Sequence, residues 1–168
     1  MIKNGIIILH IYNIIMKAIA VFTGTKIKGT VIFTQEIPGK VTIDINISGL
    51  KKNHQHGFHI HEYGDMSEGC ESMGGHYNPY NKNHGGQDSK ERHVGDLGNI
   101  QTDSEGCAQY QMIDRCIKLL GTKNNIFGRG LVIHTDTDDC GKGTNASSLV
   151  NGNSGKRIAC AIICRKHE

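Results

Sequence analysis

Val41-Thr42-Ile43-Asp44-Ile45-Asn46-Ile47-Ser48 is the stretch on which the fold class turns. Its apolar and polar residues alternate without a break. Successive side chains of an extended chain point to opposite faces, so Val41, Ile43, Ile45 and Ile47 share one face. That pattern marks a strand with one side in a core and the other in water. Towards the N-terminus, Ala18-Ile19-Ala20-Val21-Phe22 is a short apolar run, and Gly29-Thr30-Val31-Ile32-Phe33-Thr34 is rich in β-branched residues. Towards the C-terminus, Gly57-Phe58-His59-Ile60-His61 reads as another strand. Further candidates run over 98–102, 107–113, 116–120, 130–134 and 157–163. No segment sustains a 3.6-residue period, so little helix is expected.

Two stretches, 62–92 and 135–156, carry no strand pattern and are rich in Gly, Asn, Asp and Ser. Long loops are uncommon in a compact domain and usually carry function. Short strands with two such loops predict an all-β sandwich or barrel. The 168 residues suffice for one domain with its own core. Hydrophobic residues at 37% and charged residues at 21% argue against a disordered tail and a membrane bundle. A net charge of +3 with no Lys/Arg block argues against nucleic acid as a partner. Residues 1–15 stand apart as an isoleucine-heavy N-terminal appendage broken by Asn4, His10 and Asn13. They are too short and interrupted to span a membrane. A functional start near Met16 is the preferred reading; the alternative is a signal peptide over 1–20, with Ala18-Ile19-Ala20 as its cleavage site and secretion as its consequence.

Histidine is the outlier, with ten in the chain. His59 and His61 share one face of a strand. His76, His84 and His93 follow on the first long loop, Asp96 lies just beyond His93, and His134 ends a later strand where the second long loop begins. Imidazole and carboxylate suit zinc and copper, and no cysteine interrupts the set. Four nitrogens favour Cu(II); three nitrogens and one oxygen, closed tetrahedrally, favour structural Zn(II). Seven ligands fill two four-coordinate sites only if one bridges, which an imidazole with two ring nitrogens can do.

These residues sit in longer motifs. Gly57-Phe58-His59-Ile60-His61-Glu62-Tyr63-Gly64-Asp65, His84-Gly85-Gly86, Glu91-Arg92-His93-Val94-Gly95-Asp96-Leu97-Gly98-Asn99 and Asp138-Asp139-Cys140-Gly141-Lys142-Gly143 resemble the signatures of the copper/zinc superoxide dismutase family, intracellular eukaryotic type. The resemblance runs from about Met16 to about Arg165 and makes 16–168 a single domain of that kind. It implies an eight-stranded Greek-key β-sandwich or barrel, immunoglobulin-like, with two long functional loops. It implies one copper per subunit on His59, His61, His76 and His134, and one zinc on His76, His84, His93 and Asp96, with His76 bridging. By the same resemblance Asp138 holds His59 and His84 by hydrogen bonds, Cys70 and Cys160 form the intrachain disulfide, and Arg157 guides the anionic substrate. His56 matches a structural, hydrogen-bonded histidine.

The implied activity is disproportionation of superoxide to dioxygen and hydrogen peroxide, an antioxidant function. The resemblance implies that copper would cycle between Cu(II) and Cu(I), with His76 and Arg157 as the catalytic residues, and that His76 would take up a proton and return it to the departing peroxide. The alternative is a catalytically inactive, dismutase-like copper-binding or decoy protein; every matched ligand, Arg157 and the cysteine pair are present, which favours the enzyme. Cys107, Cys116, Cys140 and Cys164 have no family partner and are expected to be free thiols, which suits a reducing compartment. That makes the expected location cytoplasmic, or the host cytoplasm or virion if the chain is virus-encoded; its Ile, Asn and Lys abundance suits an A+T-rich genome.

Departures cluster on the second loop. The family commonly carries acidic residues near Ala146 and Ser147 and a lysine near Val150, and none is present. Asn151 replaces a frequent threonine, and Lys156 adds positive charge beside Arg157. A positive channel mouth is the expectation. Lys156 and Ile158 replace the prolines that flank this arginine in members dependent on a copper chaperone, which suggests maturation without one. A homodimer is expected, with Tyr63, Gly64, Gly128 and Ile163 in the corresponding interface regions and Arg165 where an apolar residue is common.

Overall fold

The computed structural model describes residues 15–36 and 39–167. The reading of 1–15 as an appendage, and His10 with it, lies outside the described residues apart from Ile15. The strands are β1 (Ile15–Thr23), β2 (Lys28–Glu36), β3 (Val41–Ser48), β4 (Gln55–His61), β5 (Asp96–Gln101), β6 (Ala108–Asp114), β7 (Gly130–His134), β8 (Arg157–Ile162) and β9 (Cys164–Arg165). They form two antiparallel sheets, one in the order β6-β3-β2-β1-β9 and the other β5-β4-β7-β8. The 3-10 turn Glu71–Met73 and one α-helical turn, α1 (Ser148–Asn151), are the helical segments among the described residues.

The alternation in β3 does what it predicts. Val41, Ile43, Ile45 and Ile47 are buried, while Asp44, Asn46 and Ser48 are exposed. They meet Val31 and Phe33 of β2 and Ala18, Ala20 and Phe22 of β1 in one apolar cluster. The second sheet closes that cluster with Phe58, Ile60, Leu97, Ile100, Leu131 and Ile133. Burying each large aliphatic side chain contributes about 1.5–3 kcal/mol.

β4 is buried on both faces from His56 to His61. Phe58 and Ile60 enter the core. His59 and His61 point the other way, where the two long loops cover the sheet. A hydrogen-bonded central strand thus presents two imidazoles to a loop-roofed outer face.

Three expectations change. The count is nine strands rather than eight, because the last strand crosses between sheets: β8 pairs with β7, Ile163 turns inward, and β9 pairs with β1. Ile163 has no exposed surface, so it belongs to the core and not to a subunit interface. No strand forms at 116–120, where one isolated bridge joins Lys118 to Asn125. Its backbone is satisfied by side chains instead: Asp114 Oδ1 accepts from the N–H groups of Cys116 at 2.7 Å and Ile117 at 2.8 Å. Gln35 Oε1 accepts from those of Leu119 and Leu120. A ladder is not needed once buried N–H groups have such partners.

Candidate metal centre

The strands and loops bring all seven candidate ligands together. His59, His61, His76 and His134 form one cluster, and His76, His84, His93 and Asp96 another, with the donor atoms of each within 4.8 Å of one another. His59 and His61 come from β4, and His134 from the end of β7. His76 is pinned by an antiparallel bridge to His61. Beside it, Tyr77 N–H donates to Ile60 O, Ile60 N–H to Gly95 O, and Gly95 N–H to Tyr77 O. The first two bonds fasten Tyr77 and Gly95 to β4, and the third ties Tyr77 and Gly95 to each other.

Carbonyl and carboxylate partners decide where each imidazole carries its proton, because these oxygens only accept. His61 Nδ1 donates to Gly74 O at 2.9 Å, and His134 Nδ1 to Gly155 O at 3.2 Å. His59 Nε2 donates to Asp138 Oδ2 at 2.9 Å. His76 Nδ1 donates to Asp96 Oδ1 at 2.8 Å. Burial holds all four imidazoles below their ordinary pKa, His61 at about 2 and His134 at about 4. Each is therefore neutral at pH 7 with one bare nitrogen. His59 Nδ1 and His76 Nε2 are buried without a partner. His61 Nε2 and His134 Nε2 face each other at 3.4 Å, lone pair to lone pair. Four bare lone pairs converging in a buried space fit a cation of the Cu(II) kind.

The second cluster is built around a carboxylate. Asp96 has no exposed surface, and its Oδ1 lies 2.8–3.1 Å from Nδ1 of His76, His84 and His93. Its Oδ2 accepts from the backbone N–H groups of Gly85 and His93. Burial opposes its charge, but the hydrogen bonds of His76 and His93 and the close approach of the His84 imidazole outweigh burial and hold the carboxyl far below its usual range. His84 Nδ1 lacks the alignment for a hydrogen bond despite its 3.0 Å approach. Three nitrogens and one oxygen drawn this close fit Zn(II). His76 turns Nδ1 to this cluster and bare Nε2 to the other, so one imidazole serves both.

Asp138 spans the two clusters from outside. Its Oδ1 accepts from His84 Nε2 at 2.8 Å while Oδ2 holds His59. It is held in turn by Asn99, whose Oδ1 accepts from Asp138 N–H at 2.7 Å and whose Nδ2 donates to Asp138 O at 2.9 Å. Gly152 has φ +66°, and a Cβ there would collide with the Asp138 carboxylate, so only glycine fits. Burial would lower His84, but the carboxylates of Asp138 and Asp96 on either side raise it to about 9.

These shifts give the metal-free chain a stability optimum near neutrality. His134 titrates at about 4 in the fold and at 6.5 in the unfolded chain. Below pH 6.5 the unfolded chain binds the extra proton, so stability falls by up to about 3 kcal/mol as pH drops towards 4. His84 is raised in the fold, so its contribution is complete below pH 6.5 and is lost as pH rises through about 9. Calorimetry of the metal-free chain is expected to show Tm highest near pH 6.5. A Tm that climbs from pH 6.5 to 4.5 contradicts this.

Arg157 lies opposite His134 in the β7–β8 register. Its Nη1 donates to Cys70 O at 2.7 Å and to Glu71 O at 3.2 Å, and its Nη2 donates to Gly74 O at 2.6 Å. Gly74 O thus accepts from both Arg157 and His61, linking the guanidinium to the four-imidazole cluster. Cys70 and Cys160 form a disulfide with a Cα–Cα distance of 5.7 Å and a sequence separation of 90. It carries the carbonyl-bearing loop to the strand of Arg157. Cys160→Ser is expected to cost ~4–5 kcal/mol, read as a lower Tm; an unchanged Tm would show the crosslink to be dispensable. Cys107, Cys116 and Cys140 are half-buried free thiols, and Cys164 is exposed.

His56, 2% exposed, donates from Nδ1 to His134 O at 2.7 Å. It is a structural histidine that steadies the strand end bearing a candidate ligand. His54 Nε2 bonds Thr135 O just beyond. His167 is exposed at the chain end. Sequence reasoning gave no role to Asn99, Gly74 or Gly152, nor to Arg92. Arg92 is buried and paired with Asp114 at 2.9 Å, and donates to carbonyls of Gln87, His93 and Val94. It braces the first loop against the end of β6. Asn99 and Arg92 stand inside the matched motifs, which was their available signal; Gly74 acts through its carbonyl, which no side chain announces.

Residues 27–163 match the family model described as copper/zinc superoxide dismutase. A Cu-Zn superoxide dismutase of Paramecium bursaria Chlorella virus 1 is 57% identical over 148 residues, covering 88% of this chain and 78% of that protein. One from Yarrowia lipolytica is 51% identical over 150 residues, covering 88% of this chain and 97% of that protein. Among solved structures, that of the clock protein EA4 matches with a TM-score of 0.87 and 41% identity, over 94% of this chain and 99% of that one.

Proposed function

The chain belongs to the copper/zinc superoxide dismutase family and disproportionates superoxide with copper and zinc as its cofactors; we propose that His59, His61, His76 and His134 hold the copper and His76, His84, His93 and Asp96 the zinc. The observation that carries the assignment is the double-faced His76, with Nδ1 towards Asp96 and a buried, unpartnered Nε2 towards three further bare nitrogens. Copper supplies the one-electron cycling between Cu(II) and Cu(I) that the reaction needs, and zinc supplies fixed charge without redox chemistry.

The protein's own groups do the rest. Two superoxide anions and two protons give dioxygen and hydrogen peroxide. Arg157, its side chain 19% exposed beside the His61–His134 pair, draws the small anion in and donates hydrogen bonds to it. His76 Nε2 is the atom placed to hold a proton and pass it to the departing peroxide. The opposite nitrogen, Nδ1, lies on the zinc cluster beside Asp96, and zinc held there would keep the ring from swinging away when Nε2 is free. Lys156 beside Arg157, with no acid at Ala146 or Ser147, leaves the mouth positive.

The test is dismutase activity of the chain loaded with one copper and one zinc, with kcat/KM falling as ionic strength rises. A fully metallated chain without activity would overturn the reading and favour the inactive, decoy alternative. We read 16–168 as one domain working as a homodimer, supported by Val21 at 48% and Tyr63 at 53% exposure. The four free thiols support a cytoplasmic location, and the residues flanking Arg157 support maturation without a copper chaperone.

A further inference from the structure

Among the described residues one carboxylate stands within 4 Å of the Arg157 guanidinium, that of Glu71, with Oε2 3.9 Å from Nε. Glu71 belongs to the short turn after Cys70, so the disulfide that carries the loop to β8 also carries this acid to the arginine. An arginine has five N–H donors. Cys70 O and Glu71 O take the two on Nη1, and Gly74 O takes one on Nη2. The N–H left on Nη2 and the one on Nε are the two available to an incoming anion. The Glu71 carboxylate faces the second of these. Its side chain is 73% exposed, and that of Arg157 19%, so the acid sits on the solvent side of the guanidinium.

We propose that Glu71 sets the anion affinity of the channel, as a tethered carboxylate that competes with superoxide and other small anions for Arg157. The second loop has no acid at Ala146, Ser147 or Val150, so the first loop supplies the negative charge that tempers this arginine. An exposed, tethered carboxylate does not block the guide; it lowers the guide's occupancy by every anion, inhibitory anions such as phosphate included. The proposal rests on Arg157 guiding superoxide, as set out above.

The test uses the copper- and zinc-loaded protein. Glu71→Gln is expected to raise kcat/KM for superoxide by about two- to fivefold at low ionic strength, the range of an exposed ion pair. It is expected to lower the Kd for inorganic phosphate by a similar factor. Both differences should vanish at high salt, where exposed charges are screened. Glu68→Gln removes one charge from the same exposed loop without touching Arg157, and should move both quantities less. If Glu71→Gln matches the wild type in both, or Glu68→Gln equals it, the proposal fails. A wild-type protein with no dismutation would sink the family reaction instead, while the phosphate titration still judges Glu71.

Discussion

Replacing Asp138 by alanine is expected to weaken both copper and zinc binding by about 10- to 100-fold, while the sheets stay folded. The carboxylate is completely buried, and each of its oxygens holds one imidazole, that of His59 and that of His84. These hydrogen bonds hold an Nε2–H of each ring, which leaves His59 Nδ1 bare and turns His84 Nδ1 towards the zinc cluster. Alanine orphans two buried N–H groups at once, each costing about 1–3 kcal/mol, and frees both rings to rotate. Asp138→Asn separates the two effects. Its amide oxygen can accept from one imidazole, but its NH₂ faces the other and forces that ring's proton onto Nδ1. One metal should then be lost in preference to its neighbour. Competition with chelators of known affinity measures both constants, and circular dichroism reports the fold. Wild-type affinities in the alanine variant would remove Asp138 from the site.

Arg157→Ile is expected to lower kcat/KM by about 10- to 100-fold with the metal content unchanged. Isoleucine keeps the β-strand preference but removes the fixed charge and the donors. No ligand is lost, because the guanidinium bonds the carbonyls of Cys70, Glu71 and Gly74 and none of the imidazoles. The loss should fall on anion capture, and the variant's rate should depend little on ionic strength. Retained full activity would refute the guiding role. Restoration by Arg157→Lys should be partial, since an ammonium keeps the charge but cannot bond three carbonyls in one plane.

The strands were legible where one physical signal dominated. β3 alternates because one of its faces is wet. β7, from Gly130 to His134, shows as a short apolar run because both of its faces are buried. The signal failed at 116–120, where Asp114 and Gln35 satisfy the backbone from 2 to 85 residues away. It failed also at Ile163, an apolar residue whose burial comes from a strand changing sheets.

Within the site, the residue types and their motifs named the candidate ligands, and the family resemblance implied the pairing of Cys70 with Cys160. Nothing in them told which nitrogen of each ring is bare. Proton placement depends on acceptors 13 to 79 residues away, Gly74 O for His61 and Asp138 for His59, and those meet only when the loops close over β4. The same holds for the meeting of Glu71 and Arg157, 86 residues apart and joined through a crosslinked loop. Side-chain chemistry and alternation are local and can be read along the chain. Lone-pair direction, burial and charge competition are set by through-space distances, which arise only once the chain has folded.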